Sequence, residues 1–303
     1  MELRQLKKRN PENGRNLTIL DYSADSLTDW IATVDDYAQR YAQDPENVWH
    51  HSAIRTGRPD FYGTETLYEA RDLMKHGWRE GVERMSKNLN ALSANVSMPD
   101  LTPSYSYDVG GMFPDVAAFC AGEVEHMVTE EPVDSETKSV VHLVIPGSYP
   151  ALMRVAQLER YGTALLSVLD ALQRSGRSVS LEWIKCSEPD EKGKAKQHGL
   201  KQPRYVTVRT PIIEEGRALD IASVSFAFHP SMLRRLAFAV CGGRPELEIL
   251  GDAMGVSTRN VPESCREPGK VYPPGPWQAM SDRKVNDTDT CAQYLHNAIA
   301  HQI

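Results

Sequence analysis

The runs "SVVHLVIP" (139–146), "LERYGTALLSVLDALQRSG" (158–176) and "RSVSLEWI" (177–184) decide the fold class. The first and third runs are rich in β-branched apolar residues, which is typical of buried strands. The middle run places apolar residues at helical spacing and ends in glycine, as an amphipathic helix does. A strand-helix-strand unit predicts an α/β fold. We expect a Rossmann-like, mostly parallel sheet with right-handed crossovers and helices on both faces.

The chain after this unit continues the same pattern. "RYVTVRTPII" (204–213) predicts a third strand, and "ALDIASVSFAFHPSMLRRLAFAV" (218–240) predicts one or two helices with a break at the proline. A Gly- and Pro-rich stretch follows at 251–281, in which "KVY" (270–272) predicts an edge strand. A last helix is expected to begin near residues 287–289.

The chain before this unit reads as mainly helical. Ser26 is a candidate N-cap for a helix over 27–43, and the run from Thr66 to Gly77 has the capping pattern of a second helix. A third helix is expected near 79–92, and residues 1–16 read as a basic arm without regular structure. We therefore predict a mainly helical, acidic N-terminal region over 1–135 and an α/β domain over 136–303.

Composition limits the class of protein. Of 303 residues, 41% are hydrophobic and 25% are charged, as in globular proteins. No apolar run approaches the roughly 18 residues of a transmembrane helix, and the charged start lacks the apolar segment of a secretory signal. The five cysteines are too scattered for zinc-ligand spacing and are expected to be reduced thiols. We expect a cytoplasmic protein that does not contact a membrane.

Charge is unevenly distributed along the chain. Residues 1–135 contain 13 Lys and Arg against 23 Asp and Glu, whereas residues 136–303 contain 21 against 18. An acidic front half repels phosphates. Any polyanion is therefore expected to bind the back half.

The most informative polar segment is "KGKAKQHGLKQPRYVTVR" (192–209), which contains six Lys and Arg and no Asp or Glu. Lysines neutralise phosphates, and an aromatic ring can stack on an unpaired base. The predicted nucleic-acid-binding residues are Lys192, Lys194, Lys196, Lys201, Arg204, Tyr205 and Arg209. The alternative is a solvated hairpin without a ligand. Arg234 and Arg235 either extend this patch or flank a helix face.

Two further runs are "FYGTETLYEARDLMKHGWREG" (61–81) and "YDVGGMFPDVAAFCAGEVEHM" (107–127), the second followed by a strand and "RYGTALLSVLDALQRSGRSVSLEW" (160–183). The positions that carry a resemblance are Phe61, Gly63, Thr64, Glu69, Ala70, Gly77, Trp78, Gly81, Asp108, Gly111, Pro114, Asp115, Val116, Gly122 and Met127. Over most of residues 17–240 the chain resembles an uncharacterised family of tailed-bacteriophage and prophage proteins. In that family a helical N-terminal region precedes a domain similar to von Willebrand factor A.

The resemblance implies a metal test. The metal-binding form of that domain presents Asp-x-Ser-x-Ser after its first strand, and a hard divalent ion needs the carboxylate. Residues 145–149 here offer only Ser148. We therefore expect a degenerate site with no metal and no other cofactor. By its size the chain also resembles, more distantly, a protein with which some N4-type podoviruses bring their RNA polymerase to single-stranded DNA.

No familiar catalytic signature is present, whether a P-loop, a GxSxG elbow, a HExxH helix or a CxxC pair. We predict no catalytic residues. The leading hypothesis is a phage-encoded, non-enzymatic accessory protein that binds single-stranded nucleic acid in support of phage transcription or replication. Its expected partners are single-stranded nucleic acid and the phage RNA polymerase or another phage or host protein.

Two alternatives stay open. The first is a protein-interaction module of the von Willebrand factor A type that does not bind nucleic acid. The second is an enzyme in which carboxylates from distant segments converge on an unrecognised site.

Overall fold

The structure is a computed structural model, and it describes most of the chain. The described residues are 2–9, 14, 16–44, 53–54, 56–93, 104–131, 140–189, 203–250, 256–258, 260–282 and 285–303.

The strands and helices are numbered along the chain. The strands are β1 (Glu2–Arg9), β2 (Asn16–Ser23), β3 (Ser104–Asp108), β4 (Phe113–Pro114), β5 (Met127–Glu131), β6 (Val140–Pro146), β7 (Ser178–Glu188), β8 (Tyr205–Ile213), β9 (Val256–Ser257) and β10 (Lys270–Val271). The α-helices are α1 (Leu27–Gln43), α2 (Pro59–Tyr62), α3 (Leu67–His76), α4 (Arg79–Ser93), α5 (Val116–Ala121), α6 (Val155–Arg174), α7 (Ile221–Ala227), α8 (Phe238–Gly242), α9 (Pro276–Ser281) and α10 (Thr288–Ala300). A π-helix (Met232–Ala237) precedes α8, and 3-10 turns span Pro245–Leu250 and Glu263–Cys265.

The α/β class predicted from the strand-helix-strand unit is confirmed. In the described chain, the main sheet has the strand order β1-β2-β8-β7-β6-β10, and β9 pairs with β7. Strands β6 and β7 are parallel and are joined by α6, and β10 runs parallel to β6 on its other side. The predicted third strand, β8, runs antiparallel to β7 and parallel to β2. The sheet is therefore mixed, with parallel pairs at β6 and at β2.

One face of the sheet carries the main core. Side chains such as Leu143, Leu181 and Trp183 point to this face and pack with the buried side of α6, and the buried side chains of α1 and α10 join the same cluster. The rings of Trp30 in α1 and Trp183 in β7 are 5.5 Å apart. Twelve residues of α6 are buried, which makes it the central helix of the fold.

The second face is covered differently from the prediction of helices on both faces. Val144, Ile184 and Cys186 pack there against Val261 and the side chains that follow it. The covering segment (260–272) contains a 3-10 turn and strand β10 but no α-helix, because Pro262, Pro268 and Gly269 disfavour one.

The expectation that residues 1–16 lack regular structure is wrong. Strand β1 pairs antiparallel with β2 along its length, and β2 pairs with β8 inside the main sheet. The predicted boundary near residue 135 therefore does not separate the sheet from the preceding chain. The alternating pattern of "NLTILDYS" (16–23) fits a strand, and β2 is buried because β1 and β8 flank it.

The helix boundaries of the N-terminal part are confirmed. Ser26 caps α1 by accepting a hydrogen bond from the Asp29 backbone NH, and Thr66 caps α3 by accepting from that of Glu69. Helix α3 ends before Gly77, whose φ is 77°. A Cβ on Gly77 would lie 2.4 Å from the Cβ of Ala222, so this glycine lets α3 approach α7.

Two arginines of the π-helix donate hydrogen bonds to backbone carbonyls of residues that are distant in sequence. Arg235 is fully buried and donates hydrogen bonds to the backbone carbonyls of Gly57, Thr64 and Glu65. Arg234 donates to the carbonyls of Phe61, Ala151 and Met153. Both guanidinium groups therefore bind backbone carbonyls inside the fold, and neither arginine extends the patch of the lysine-rich segment.

Residues 104–131 form a separate antiparallel sheet of order β3-β5-β4, with α5 attached. Asp115 caps α5 by accepting hydrogen bonds from the backbone NH groups of Ala117 and Ala118, and Gly122 ends it in a left-handed conformation. We call this unit the 104–131 module.

Candidate nucleic-acid interface

The lysine-rich segment connects two neighbouring strands. Lys192, Lys194, Lys196 and Lys201 lie outside the described residues. Because β7 and β8 are antiparallel neighbours, the chain leaves the sheet after Glu188 and returns at Tyr205 at the same end. The connection is therefore anchored at one end of the main sheet, as a hairpin requires.

Arg204 and Tyr205 stand where that connection returns. The Arg204 guanidinium lies 5.1 Å from the centre of the Tyr205 ring, and its Nη1 is 3.0 Å from Glu188 Oε2. The Arg204 side chain is 54% exposed. An exposed ion pair of this kind contributes only about 0–1 kcal/mol, so a phosphate can compete with Glu188. An arginine stacked on a tyrosine also presents a planar surface to a base.

Strand β1 brings a second basic segment to the same end of the sheet. Lys7 pairs across from Thr18, and the backbone NH of Arg204 donates to the Thr18 carbonyl over 2.8 Å. The Cα atoms of Lys7 and Arg204 are thus two strand spacings apart, about 10 Å. Sequence reasoning missed this proximity because it assigned no strand to residues 1–16. The available signal was the alternation of polar and apolar residues in 16–23, which predicts a strand close in sequence to the basic run at residues 7–9.

Arg266 completes this end of the sheet. The Lys8 ammonium donates to the Arg266 backbone carbonyl over 3.0 Å, and the exposed Arg266 guanidinium lies 5.4 Å from the centre of the Tyr272 ring. We call Lys7, Lys8, Arg204, Tyr205 and Arg266 the basic corner. Its members come from three separate parts of the chain.

Arg209 is not part of the basic corner. Its side chain is only 8% exposed and lies on the second face of the sheet. Arg209 Nε is 2.8 Å from Asp21 Oδ1, and Nη1 forms ion pairs with Glu182 Oε1 at 3.1 Å and with Glu267 Oε1. These carboxylates already neutralise the guanidinium, so the prediction that Arg209 contacts nucleic acid has no support in this geometry.

Lys270 extends this charged network. Its Nζ is 2.7 Å from Glu182 Oε2 and 3.0 Å from Glu267 Oε2. Burial raises the pKa of Glu267, but Arg209 and Lys270 outweigh burial and the pKa lies below its usual value. Burial lowers the pKa of Lys270, but Glu182 and Glu267 outweigh it in turn. The network therefore holds Glu267 and Lys270 in their charged forms.

The same network lines an open cavity of about 440 Å³ on the second face. His142 and Ser180 also line it, with His142 Nδ1 2.7 Å from Ser180 Oγ. Carboxylates from distant segments thus do converge, as the enzyme hypothesis requires. Glu182 and Glu267 are paired with Arg209 and Lys270, whereas Asp25, Glu214 and Glu215 line the same cavity outside this network.

The remaining sequence candidate is Ser148, the single hydroxyl at the expected metal position. Its side chain is buried, and its hydroxyl donates to the Cys186 backbone carbonyl over 3.4 Å. Within the described ranges, no group of three or more His, Cys, Asp and Glu side chains is placed to hold a metal ion.

Comparison with known proteins identifies a family. A family model described as "Domain of unknown function (DUF7192)" matches residues 8–297. No curated protein and no solved structure matches the chain. No helix in the described part of the chain is both long enough and apolar enough to cross a bilayer.

Proposed function

We propose that this chain, which belongs to the DUF7192 family, binds single-stranded nucleic acid at its basic corner. The observation that carries the proposal is the pairing β1-β2-β8. It brings Lys7 and Lys8 beside Arg204 and Tyr205, at the end of the sheet where the lysine-rich connection returns. Lysine ammonium groups neutralise the phosphates of a nucleic-acid backbone, and the Arg204–Tyr205 pair offers a surface on which a base can stack.

The position of the corner supports a polyanion over other ligands. Of the described residues, Glu188 is the carboxylate paired with Arg204, and that pair is exposed. Residues 1–135 contain 23 Asp and Glu against 13 Lys and Arg, and on the second face of the sheet Glu182 and Glu267 are paired with Arg209 and Lys270. A phosphate chain therefore meets attraction at the corner and repulsion over the front half.

Salt dependence tests the proposal. Binding of a fluorescein-labelled oligothymidylate should weaken as salt rises, since each phosphate contact on a single strand contributes about 0.7 to the slope of log K against log salt. The double variant Lys7→Gln/Lys8→Gln should lower that slope by about 1.4 if both lysines contact phosphates. The variant with glutamine at Lys192, Lys194, Lys196 and Lys201 should lower it by about 2.8.

A matched control removes the same charge elsewhere. Lys75 and Lys87 lie on α3 and α4, and Lys75→Gln/Lys87→Gln should leave the slope unchanged. If this control flattens the slope as much as Lys7→Gln/Lys8→Gln does, net charge rather than the corner determines binding. Absence of any salt-dependent binding by the wild-type chain would overturn the proposal.

We further propose the cellular role that the resemblance implies. The chain acts as a phage-encoded accessory protein in the cytoplasm of a bacterial host, in support of phage transcription or replication. The parallel unit β6-α6-β7, with β10 beside β6, supports placing the α/β part with von Willebrand factor A-like domains. In that placement Ser148 occupies the position of a lost metal site.

A further inference from the structure

The exposed apolar surface of this protein is concentrated in the 104–131 module. Ten large apolar side chains are exposed in the described chain, and eight of them belong to this module. They are Tyr105, Tyr107, Val109, Met112, Phe113, Val116, Phe119 and Val124. The other two, Tyr68 and Leu152, lie on other elements. An apolar surface concentrated in this way marks an interaction site.

The strand register aligns part of this surface. Tyr107 and Phe113 both lie opposite Val128, so the three side chains form one row across the sheet. Val128 is 6% exposed, whereas Tyr107 and Phe113 are 51% and 46% exposed. The row therefore has a covered centre and open ends. The module therefore leaves Tyr107 and Phe113 about half exposed.

A groove runs between α5 and this sheet. It has a volume of about 810 Å³, which is within the size range of ligand clefts. Its apolar lining includes Tyr107 and Val124, and its acidic lining consists of Asp115, Glu123 and Glu125. Hydrogen bonds from the Ala118 and Ala117 backbone NH groups lower the pKa of Asp115 against a smaller effect of desolvation, and the Tyr107 hydroxyl adds to that lowering.

Charge identifies the chemistry of the occupant. Residues 104–131 contain six Asp and Glu and no Lys or Arg. None of the ion pairs among the described residues involves an acid of the module. We propose that the 104–131 module binds a segment of a partner protein that combines Lys or Arg with apolar side chains.

The surface excludes two other occupants. Nucleic acid is repelled, because six acidic residues are present without a cation. A second copy would place like charges together if two modules met. If the basic corner of a second copy docked on the module instead, the apolar side chains would stay uncovered, since that corner offers charge without a comparable apolar surface. A basic, apolar segment meets both requirements.

The edge of the small sheet suggests how the segment binds. Among the described strands, β3 pairs with β5 alone, so its other edge can accept an added strand. In a strand, alternate residues point to the same side. A segment that alternates lysine with an apolar residue would therefore place its apolar side chains on the side of the exposed row and the groove. Its lysines would point to the other side, and the six acidic residues of the module would attract them at longer range.

Anisotropy with two labelled peptides tests the inference on the full chain. One peptide alternates lysine with valine, and the other alternates lysine with serine and carries the same charge. The first should bind at least about tenfold more tightly, since it alone covers apolar surface. Phe119→Ser/Val124→Ser should weaken its binding by about tenfold or more, and Glu123→Gln/Glu125→Gln should weaken binding of both peptides.

Matched controls use exposed residues outside the module. Leu152→Ser, at a residue that is 89% exposed, and Glu215→Gln should leave peptide binding unchanged. Equal binding of the two peptides, or no loss with Phe119→Ser/Val124→Ser, would overturn the inference. A dimer in sedimentation that Phe119→Ser/Val124→Ser dissociates would also overturn the inference, because the module would then bind a second copy. A loss of oligothymidylate binding in the same variant would overturn it too, because the module would then bind nucleic acid. Lys7→Gln/Lys8→Gln should not affect peptide binding, so this inference and the proposed function fail separately.

Discussion

Replacing Arg209 with glutamine should destabilise the fold and leave nucleic-acid binding intact. The guanidinium forms ion pairs with Asp21, Glu182 and Glu267 on the second face of the sheet. Glutamine is shorter and neutral, so these carboxylates would lose their shared cation. The variant tests whether Arg209 stabilises the sheet or belongs to the binding surface.

The magnitude follows from the burial of the network. Breaking a buried ion pair costs about 3–5 kcal/mol, because an uncompensated charge is left behind. Lys270 still pairs with Glu182 and Glu267, and Glu267 is 36% exposed, so we expect the lower end, about 3 kcal/mol. With an unfolding entropy of about 2.1 cal/mol/K per residue, that loss corresponds to a decrease of about 5 °C in Tm for this chain.

The free energy of unfolding that Arg209→Gln removes should decrease as the pH falls. The pKa of Glu267 is lowered in the folded protein, so its ionisation contributes stability above the unfolded pKa and loses it as pH falls through the folded value. Arg209→Gln removes part of that contribution. The difference in free energy of unfolding between wild type and variant should therefore be largest near neutral pH and shrink below about pH 4.

Urea unfolding followed by tryptophan fluorescence measures both quantities, since Trp30 and Trp183 are buried in contact. Arg204→Gln, which removes an exposed arginine, is the control and should cost no more than about 1 kcal/mol. Adding Asp21→Asn to Arg209→Gln should restore part of the stability. A loss under 1 kcal/mol for Arg209→Gln, or a difference that grows in acid, would refute the reasoning.

Two further predictions concern the helical part. Burial, and to a smaller extent Arg84, lowers the pKa of His229 to about 4. The unfolded chain therefore binds a proton first, and about 3 kcal/mol of stability should be lost between about pH 6.5 and pH 4. NMR should show that imidazole titrating near pH 4, and a normal midpoint would contradict the burial argument. Gly77→Ala should cost more than Gly216→Ala in thermal unfolding. Both glycines have positive φ, but only Gly77 has a neighbour, Ala222, that an added Cβ would strike. Equal costs would mean that backbone conformation alone matters.

Local signals predicted the elements well where one pattern dominated. The β-branched runs and the helix between them gave β6, α6 and β7, and the capping residues placed the start of α1 and α3. Long-range pairing was not encoded locally. Strand β8 follows β7 as a hairpin and β2 joins it from the start of the chain, so the sheet is more mixed than a repeat of strand-helix units implies.

The candidate site was predictable only in part. The lysine-rich run was visible as composition, but its proximity to Lys7 and Lys8 depends on a register that spans most of the chain. The burial of Arg209 was not predictable, because a one-dimensional run does not show that alternate residues of β8 point to a face lined by carboxylates. The exposure of the apolar residues of the 104–131 module could not be predicted, because it depends on the absence of an overlying element in the described chain.

The connection between β7 and β8 has a consequence for variation among related chains. Both of its ends are held by paired strands, and doubling the length of a loop costs only about 0.6 kcal/mol in closure entropy. Insertions and exchanges there should therefore be tolerated without disturbing the core. Lysine number could change from one homologue to another while the sheet stays the same, so affinity for a polyanion can evolve independently of folding.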